Sequence, residues 1–188
     1  MLAAAAAALT ITVRVYDLYG LSSDQRDRAL ALAGDTLAQA NVSATWIDCS
    51  RVDGVAPPPC LAVLKDGEIV LRIQDRTSRG PHILGTAVVQ DTGPNVIASI
   101  YAAAAGDRVA KSGLPLWIIL GRVTAHEIGH LLLGSNSHAP TGLMKAAWDL
   151  KRPHAAEWQF TRLDADKMRR RHLARQDGLL VAVPPATD

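Results

Sequence analysis

The chain has 188 residues, of which 48% are hydrophobic and 20% are charged, and its formal net charge is +2. This composition is typical of a globular protein and excludes a disordered chain, and the length suits one domain with a substantial core. The small net charge gives no reason to expect a nucleic-acid partner. No apolar segment approaches the length that a membrane span requires.

Residues 1–9 are mostly alanine and resemble the apolar core of a secretion signal. They lack a basic segment in front and a good cleavage site behind. Three explanations stay open: the remnant of a longer leader, a misplaced start, or an Ala-rich frayed end. We expect a secreted or periplasmic protein, from this incomplete signal and from the cysteines described below.

The first part of the chain predicts a strand–helix–strand unit. Apolar residues alternate over 10–16, which is typical of a strand, and they recur at helical spacing up to about residue 40. Residues 22–24 (Ser-Ser-Asp) are suitable N-caps for this helix, and residues 44–48 form a second strand. A crossover of this kind is right-handed and makes the two strands parallel neighbours.

The two cysteines, Cys49 and Cys60, lie on either side of a ten-residue loop. In an oxidising compartment they would form one disulfide, which would stabilise the fold by up to about 3 kcal/mol. In the cytosol they would stay free thiols. We favour the disulfide, on the condition that the protein is exported.

Three further strands are predicted before the central helix. Residues 69–73 form the third, after a shorter apolar run at 61–64 and a turn at 65–68. Residues 84–90 and 95–101 form the fourth and fifth, and the alanine-rich residues that follow lead into the central helix. The layout is α/β: a twisted, mainly parallel five-stranded sheet packed by two long helices.

The central helix carries the most informative motif. If Pro115 opens the helix and Gly134 closes it, the sequence H-E-I-G-H at residues 126–130 lies in its interior. His126 and His130 are four residues apart and therefore share one face, with Glu127 on the adjoining face. Two imidazoles placed in this way can bind one metal ion, as in zinc peptidases that use the glutamate as general base.

The motif could also occur by chance, but the residues around it argue against this interpretation. The residues around it are apolar on nearly every side of the helix, and such a helix is normally buried. Burying two histidines and a glutamate without partners would be costly. A metal ion is the simplest partner, so the sequence favours a zinc site.

Residues after the helix strengthen this interpretation. His138 follows the turn at Gly134, and Gly142-Leu143-Met144 comes shortly afterwards. With the H-E-I-G-H core, this pattern resembles the metzincin clan of zinc peptidases, and within it the matrixin-like members. The resemblance implies that His126, His130 and His138 bind one catalytic Zn²⁺, with Met144 packed beneath it. It covers most of the chain in layout, but only residues 126–144 in specific motif.

The spacing departs from the clan pattern H-E-x-x-H-x-x-G-x-x-H. The glycine comes one residue late and the third histidine two residues late, so Asn136 stands where that histidine is expected. Four residues can span about 14 Å, which lets His138 return to the metal. Asp149 and Glu157 remain alternatives for the third ligand. Archaemetzincins carry a second zinc site with four cysteines, which two cysteines cannot supply.

The resemblance also implies a domain layout. Residues 1–188 form a single zinc metallopeptidase domain with an upper subdomain at 10–134, which includes the active-site helix at about 115–133. A small, irregular lower subdomain at 135–180 holds the methionine turn and ends in a helix at 161–176. The strand at 84–90 is the antiparallel edge strand of the sheet. A peptide or protein substrate would bind in extended form along Gly85–Val89.

The function expected from these residues is a zinc-dependent endopeptidase. A catalytic zinc keeps three protein ligands and one water, and Glu127 would take the proton of this metal-activated water as general base. We expect a monomer with no nucleic-acid partner. The alternative is a catalytically idle zinc-binding domain of the same fold that serves as a protein- or peptide-binding module.

Overall fold

The computed structural model describes residues 8–50, 56–76, 80, 82–90, 96–151 and 155–176. The signal-like segment at residues 1–9 therefore lies almost wholly outside the described residues, and so does the end of the lower subdomain at 177–180. The elements in chain order are β1 (Leu9–Asp17), α1 (Ser23–Ala38), β2 (Val42–Asp48), α2 (Pro58–Leu61), β3 (Glu68–Gln74), β4 (Gly85–Val88), β5 (Ile97–Tyr101), α3 (Ala102–Ser112), α4 (Leu116–Leu133), a 3₁₀ turn (Ala155–Trp158) and α5 (Arg162–Gln176).

The five strands form one mixed sheet in the order β2-β1-β3-β5-β4. Strands β2, β1, β3 and β5 are parallel, and β4 pairs antiparallel with β5 at the edge. Alternate residues of β1, Ile11, Val13 and Val15, point into the core, as the sequence pattern predicts. The predicted sheet, with an antiparallel edge strand, is confirmed.

Two long helices, α1 and α4, pack against each other and against the inner face of the sheet. Helix α1 begins where predicted, since the hydroxyl of Ser22 accepts a hydrogen bond from the backbone nitrogen of Gln25 at 3.3 Å. The two helices approach closely at Gly121, where a Cβ atom would lie 2.7 Å from the carbonyl oxygen of Ala29. This close packing holds α4 in the centre of the fold.

By length and composition alone, α4 would be able to cross a membrane, contrary to the expectation from the sequence. Its apolar character has another explanation in this fold, because 67% of the helix is buried inside it. A helix that is apolar on all sides is what the core of a globular fold requires.

Helix α3 was not predicted from the sequence, in which its alanines were expected only to lead into the central helix. Ala102–Ser112 form a separate helix that ends at Gly113, whose φ of 73° is left-handed. Alanine is the strongest helix former, so the segment becomes helical by itself. The left-handed glycine and Pro115 then prevent it from continuing into α4.

The segment before β3 is held to the outer face of the sheet by β1. The guanidinium of Arg14, which is buried, donates to the carbonyl oxygens of Ala62 and Val63 and pairs with Glu68. The apolar run at 61–64 forms no strand, and its first residue ends α2. Its polar backbone is bound by an arginine side chain.

The disulfide between Cys49 and Cys60 is present, with their Cα atoms 5.6 Å apart. It joins the residue after β2 to the short helix α2. The predicted bridge is confirmed.

Helix α5 begins at a cap formed by Thr161 and Asp164. The carboxylate of Asp164 accepts from the backbone nitrogen of Thr161 at 3.0 Å, and the hydroxyl of Thr161 accepts from the backbone nitrogen of Asp164 at 3.2 Å. The helix packs on α4, and its Met168 is buried in the hydrophobic core. The guanidinium of Arg171 lies directly against Gly134, at the point where α4 ends.

Candidate metal centre

His126 and His130 lie one turn apart on α4 and are both buried, with 7% and 4% of their surfaces exposed. The helix ends just beyond them because Gly134 adopts the left-handed conformation, with φ of 59°. The backbone nitrogen of Ser135 donates to the carbonyl oxygen of His130 at 3.2 Å. This cap turns the chain back towards the histidine face of the helix.

The turn after α4 brings His138 to the other two histidines. Its ring centroid lies 5.4 Å from that of His126 and 5.0 Å from that of His130. One ring nitrogen of each residue lies within 4.8 Å of the others, a grouping that can hold a metal ion. His138 is exposed, so the cluster opens to solvent on its side.

Neither acidic alternative for the third ligand belongs to this cluster. The carboxylate of Asp149 accepts a hydrogen bond from the backbone nitrogen of Lys151 at 3.0 Å. The carboxylate of Glu157 forms a half-buried ion pair with Lys145 at 2.7 Å. The structure thus groups His138, and not these two residues, with the helical pair.

Hydrogen bonds define which ring nitrogens are available to a metal. The Nδ1 of His126 lies 2.8 Å from the carbonyl oxygen of Leu143, and the Nδ1 of His130 lies 2.7 Å from that of Ser135. A carbonyl only accepts, so each Nδ1 carries the proton and each Nε2 keeps its lone pair. The two Nε2 atoms lie 3.0 Å apart, an arrangement that favours a shared cation. Imidazole nitrogens of this kind suit zinc.

Burial keeps the helical pair in the neutral form that a metal requires. Desolvation lowers the pKa of His126 to about 3, although the hydrogen bond to Leu143 opposes this change. Desolvation also lowers the pKa of His130, against the hydrogen bond to Ser135. Neither ring is therefore expected to be charged near neutral pH.

Glu127 is buried beside the cluster, with 5% of its surface exposed. Burial raises the pKa of its carboxyl group to about 8, because the ionised form is poorly solvated there. The first residue of β4 lies on this side chain: a Cβ atom at Gly85 would be 2.6 Å from both Cγ and Oε1 of Glu127. This contact of Gly85 was not predicted from the sequence, although a glycine inside a strand is a known signal of close approach.

The turn at 142–144 contacts the central helix next to the cluster. Gly142 has φ of 75°, and the backbone nitrogen of Leu143 donates to the carbonyl oxygen of Gln159 at 2.7 Å. Met144 is buried, and a Cβ atom at Gly129 would lie 2.8 Å from its sulfur. The glycine of the H-E-I-G-H sequence therefore leaves room for the methionine.

Trp148 makes a further contact with the cluster that was not predicted from the sequence. Its Nε1 donates to the carbonyl oxygen of Leu143 at 3.1 Å, the same oxygen that holds the ring of His126. The indole also lies edge-on to that ring, with centroids 5.4 Å apart. No local sequence pattern marks this tryptophan, because the contact depends on how the segment after the methionine folds back.

The mixed sheet, the central helix and the histidine cluster define an α/β fold with a candidate metal centre. Among solved structures, the archaemetzincin from Methanopyrus kandleri shares this fold, with a TM-score of 0.54 over 87% of this chain and 96% of that chain. The two sequences are 15% identical, so the likeness concerns the fold alone. No protein-family model matches the chain, and no curated protein matches it.

Proposed function

We propose that this protein is a zinc-dependent endopeptidase in which His126, His130 and His138 hold one Zn²⁺ and Glu127 is the general base. The observation that carries the proposal is the convergence of three imidazoles beside a buried carboxyl group. Zinc, when bound there, would lower the pKa of a bound water to about 7 and polarise a peptide carbonyl.

Glu127 would transfer the proton during hydrolysis. It takes a proton from the attacking water and delivers it to the amine that leaves, so it has to be ionised before the reaction. Burial alone raises the pKa of Glu127 to about 8. A neighbouring dication would oppose this effect and favour the ionised form, so that the carboxylate can accept a proton at neutral pH.

The substrate would bind along β4. In the described part of the sheet, β4 is an outer strand paired only with β5, which leaves its other edge for an extended peptide. We place this peptide along Gly85–Val89. The contact between Gly85 and Glu127 supports that position, because it brings the start of the strand next to the proposed base.

The turn at 142–144 supports a matrixin-like arrangement, with Met144 packed under the cluster and not bound to the metal. On this basis we propose one catalytic domain with an upper subdomain at 10–134 and a lower one at 135–180.

The disulfide supports a secreted or periplasmic location, since such bridges persist in oxidising compartments.

The test combines zinc analysis with a cleavage assay on a broad peptide library, with and without a chelator. We expect about one equivalent of zinc and cleavage that the chelator abolishes. Glu127→Ala should lose cleavage and keep the zinc, because Glu127 is not a ligand. A protein that binds zinc but cleaves no peptide would instead be the idle binding module, and a protein that binds no metal would refute both functions.

A further inference from the structure

At Gly85 the edge strand lies directly on the side chain of Glu127. It pairs with Ile100, a core residue, so its missing side chain would point inward towards α4. A Cβ atom there would lie 2.6 Å from Cγ and Oε1 of Glu127 and 2.8 Å from Cδ. Carbon and oxygen atoms at such distances overlap strongly, since favourable contacts begin near 3.5 Å.

We propose that Gly85 is a positioning residue for Glu127. Its Cα hydrogens let the start of β4 rest on the carboxyl group, which confines this group between the strand and α4. The catalytic consequence rests on the proposed peptidase function: the base would be held under the first residue of the strand along which a peptide lies.

Neither the start of β4 nor the side chain of Glu127 can move away from the contact easily. The backbone nitrogen of Tyr101 donates to the carbonyl oxygen of Leu84 at 2.8 Å, which anchors the entry to β4. Glu127 begins on a buried helix, and its Cγ is itself part of the overlap. Rotating the terminal carboxyl group would therefore not make room for a methyl group at position 85.

The conformation of Gly85 gives no other reason for a glycine. Its φ is not among the positive values found for six other glycines in the described part of the chain. Glycine inside a strand normally costs stability relative to alanine, so backbone entropy alone predicts that Gly85→Ala stabilises the protein. Contact with Glu127 predicts the opposite sign.

A double-mutant cycle on the zinc-loaded full chain separates these two causes. We expect Gly85→Ala to lower the Tm by roughly 4–8 °C when Glu127 is present, as overpacking does. In the Glu127→Ala background the same change should leave the Tm unchanged or raise it, because the overlapping atoms are gone. A Gly85→Ala variant that folds only in that background would support the contact equally well.

Gly106→Ala is the matched control. Gly106 lies in α3, has no positive φ, and a Cβ atom there would meet nothing within 4 Å. It should have the same small effect on Tm in both backgrounds. An equal loss of Tm for Gly85→Ala in both backgrounds would overturn the proposal.

Activity and metal content provide the second readout. With a peptide that the wild type cleaves, Gly85→Ala should lower kcat at least tenfold while KM and zinc content stay within twofold of the wild type. A kcat equal to that of the wild type would also overturn the proposal. If the wild type cleaves no peptide, the peptidase function fails, and the Tm cycle still decides whether Gly85 positions Glu127.

Discussion

Replacing His138 by alanine tests the residue of the cluster that the chain contributes from outside α4. Zinc sites with four protein ligands are stabilised by about 10–16 kcal/mol, so one ligand contributes roughly 3–4 kcal/mol. This value corresponds to a loss of about 10²–10³-fold in affinity. His138 is exposed and is therefore expected to be removable without damage to the core.

The affinity is best measured by competition with a chromophoric chelator at neutral pH, together with cleavage of a reporter peptide. His138→Ala should lose both tight zinc binding and activity while its Tm without metal stays close to that of the wild type. Asp149→Ala and Glu157→Ala should keep the zinc, because their carboxylates bind Lys151 and Lys145 instead.

His82→Ala is the matched histidine control, since His82 is exposed and lies beside α3, near Asp107. Wild-type zinc affinity in His138→Ala, combined with a loss in either acidic variant, would refute the three-histidine site.

Three further predictions concern stability. In the zinc-free protein, stability should fall as the pH rises from about 6.5 to 8, because folded Glu127, with its pKa raised to about 8, keeps a proton that the unfolded chain has released. Thermal melts should show that Glu127→Gln removes this fall, of about 2 kcal/mol; an unchanged slope would argue against the raised pKa. Gly129→Ala should destabilise the fold by about 1–3 kcal/mol, since the new Cβ would lie 2.7 Å from Phe160; a neutral effect in urea unfolding would contradict the close packing. Reducing the bridge between Cys49 and Cys60 should cost about 2–3 kcal/mol in the same assay, and an unchanged unfolding midpoint would show that the bridge does not stabilise the fold.

Local periodicity explains why the sequence predicts so much of this fold. Side chains of a strand alternate between two faces, so the apolar pattern of β1 predicts which face is buried. Residues four apart on a helix share a face, so the spacing of His126 and His130 predicts a pair whatever surrounds it. Gly134 marks the end of α4 because the left-handed cap strongly favours glycine.

The sequence does not predict which segments that are distant along the chain come into contact. The turn after α4 is longer than the resemblance to metzincins implies, and chain reach alone allowed His138, Asp149 or Glu157 to approach the helical histidines. Tertiary packing distinguishes them: His138 lies beside the helical pair, whereas the carboxylates of Asp149 and Glu157 are bound to Lys151 and Lys145.

Gly85 and Trp148 also make tertiary contacts that the sequence does not predict. Gly85 touches Glu127, which follows it by 42 positions in the sequence, because β4 pairs antiparallel with β5 at the edge of the sheet above α4. Trp148 shares a carbonyl oxygen with His126 because the segment after Met144 folds back. The sequence by itself determines which side chains share a face of one element, since that depends on the local backbone period. Only the tertiary structure decides which faces meet, since that depends on how all the elements pack together.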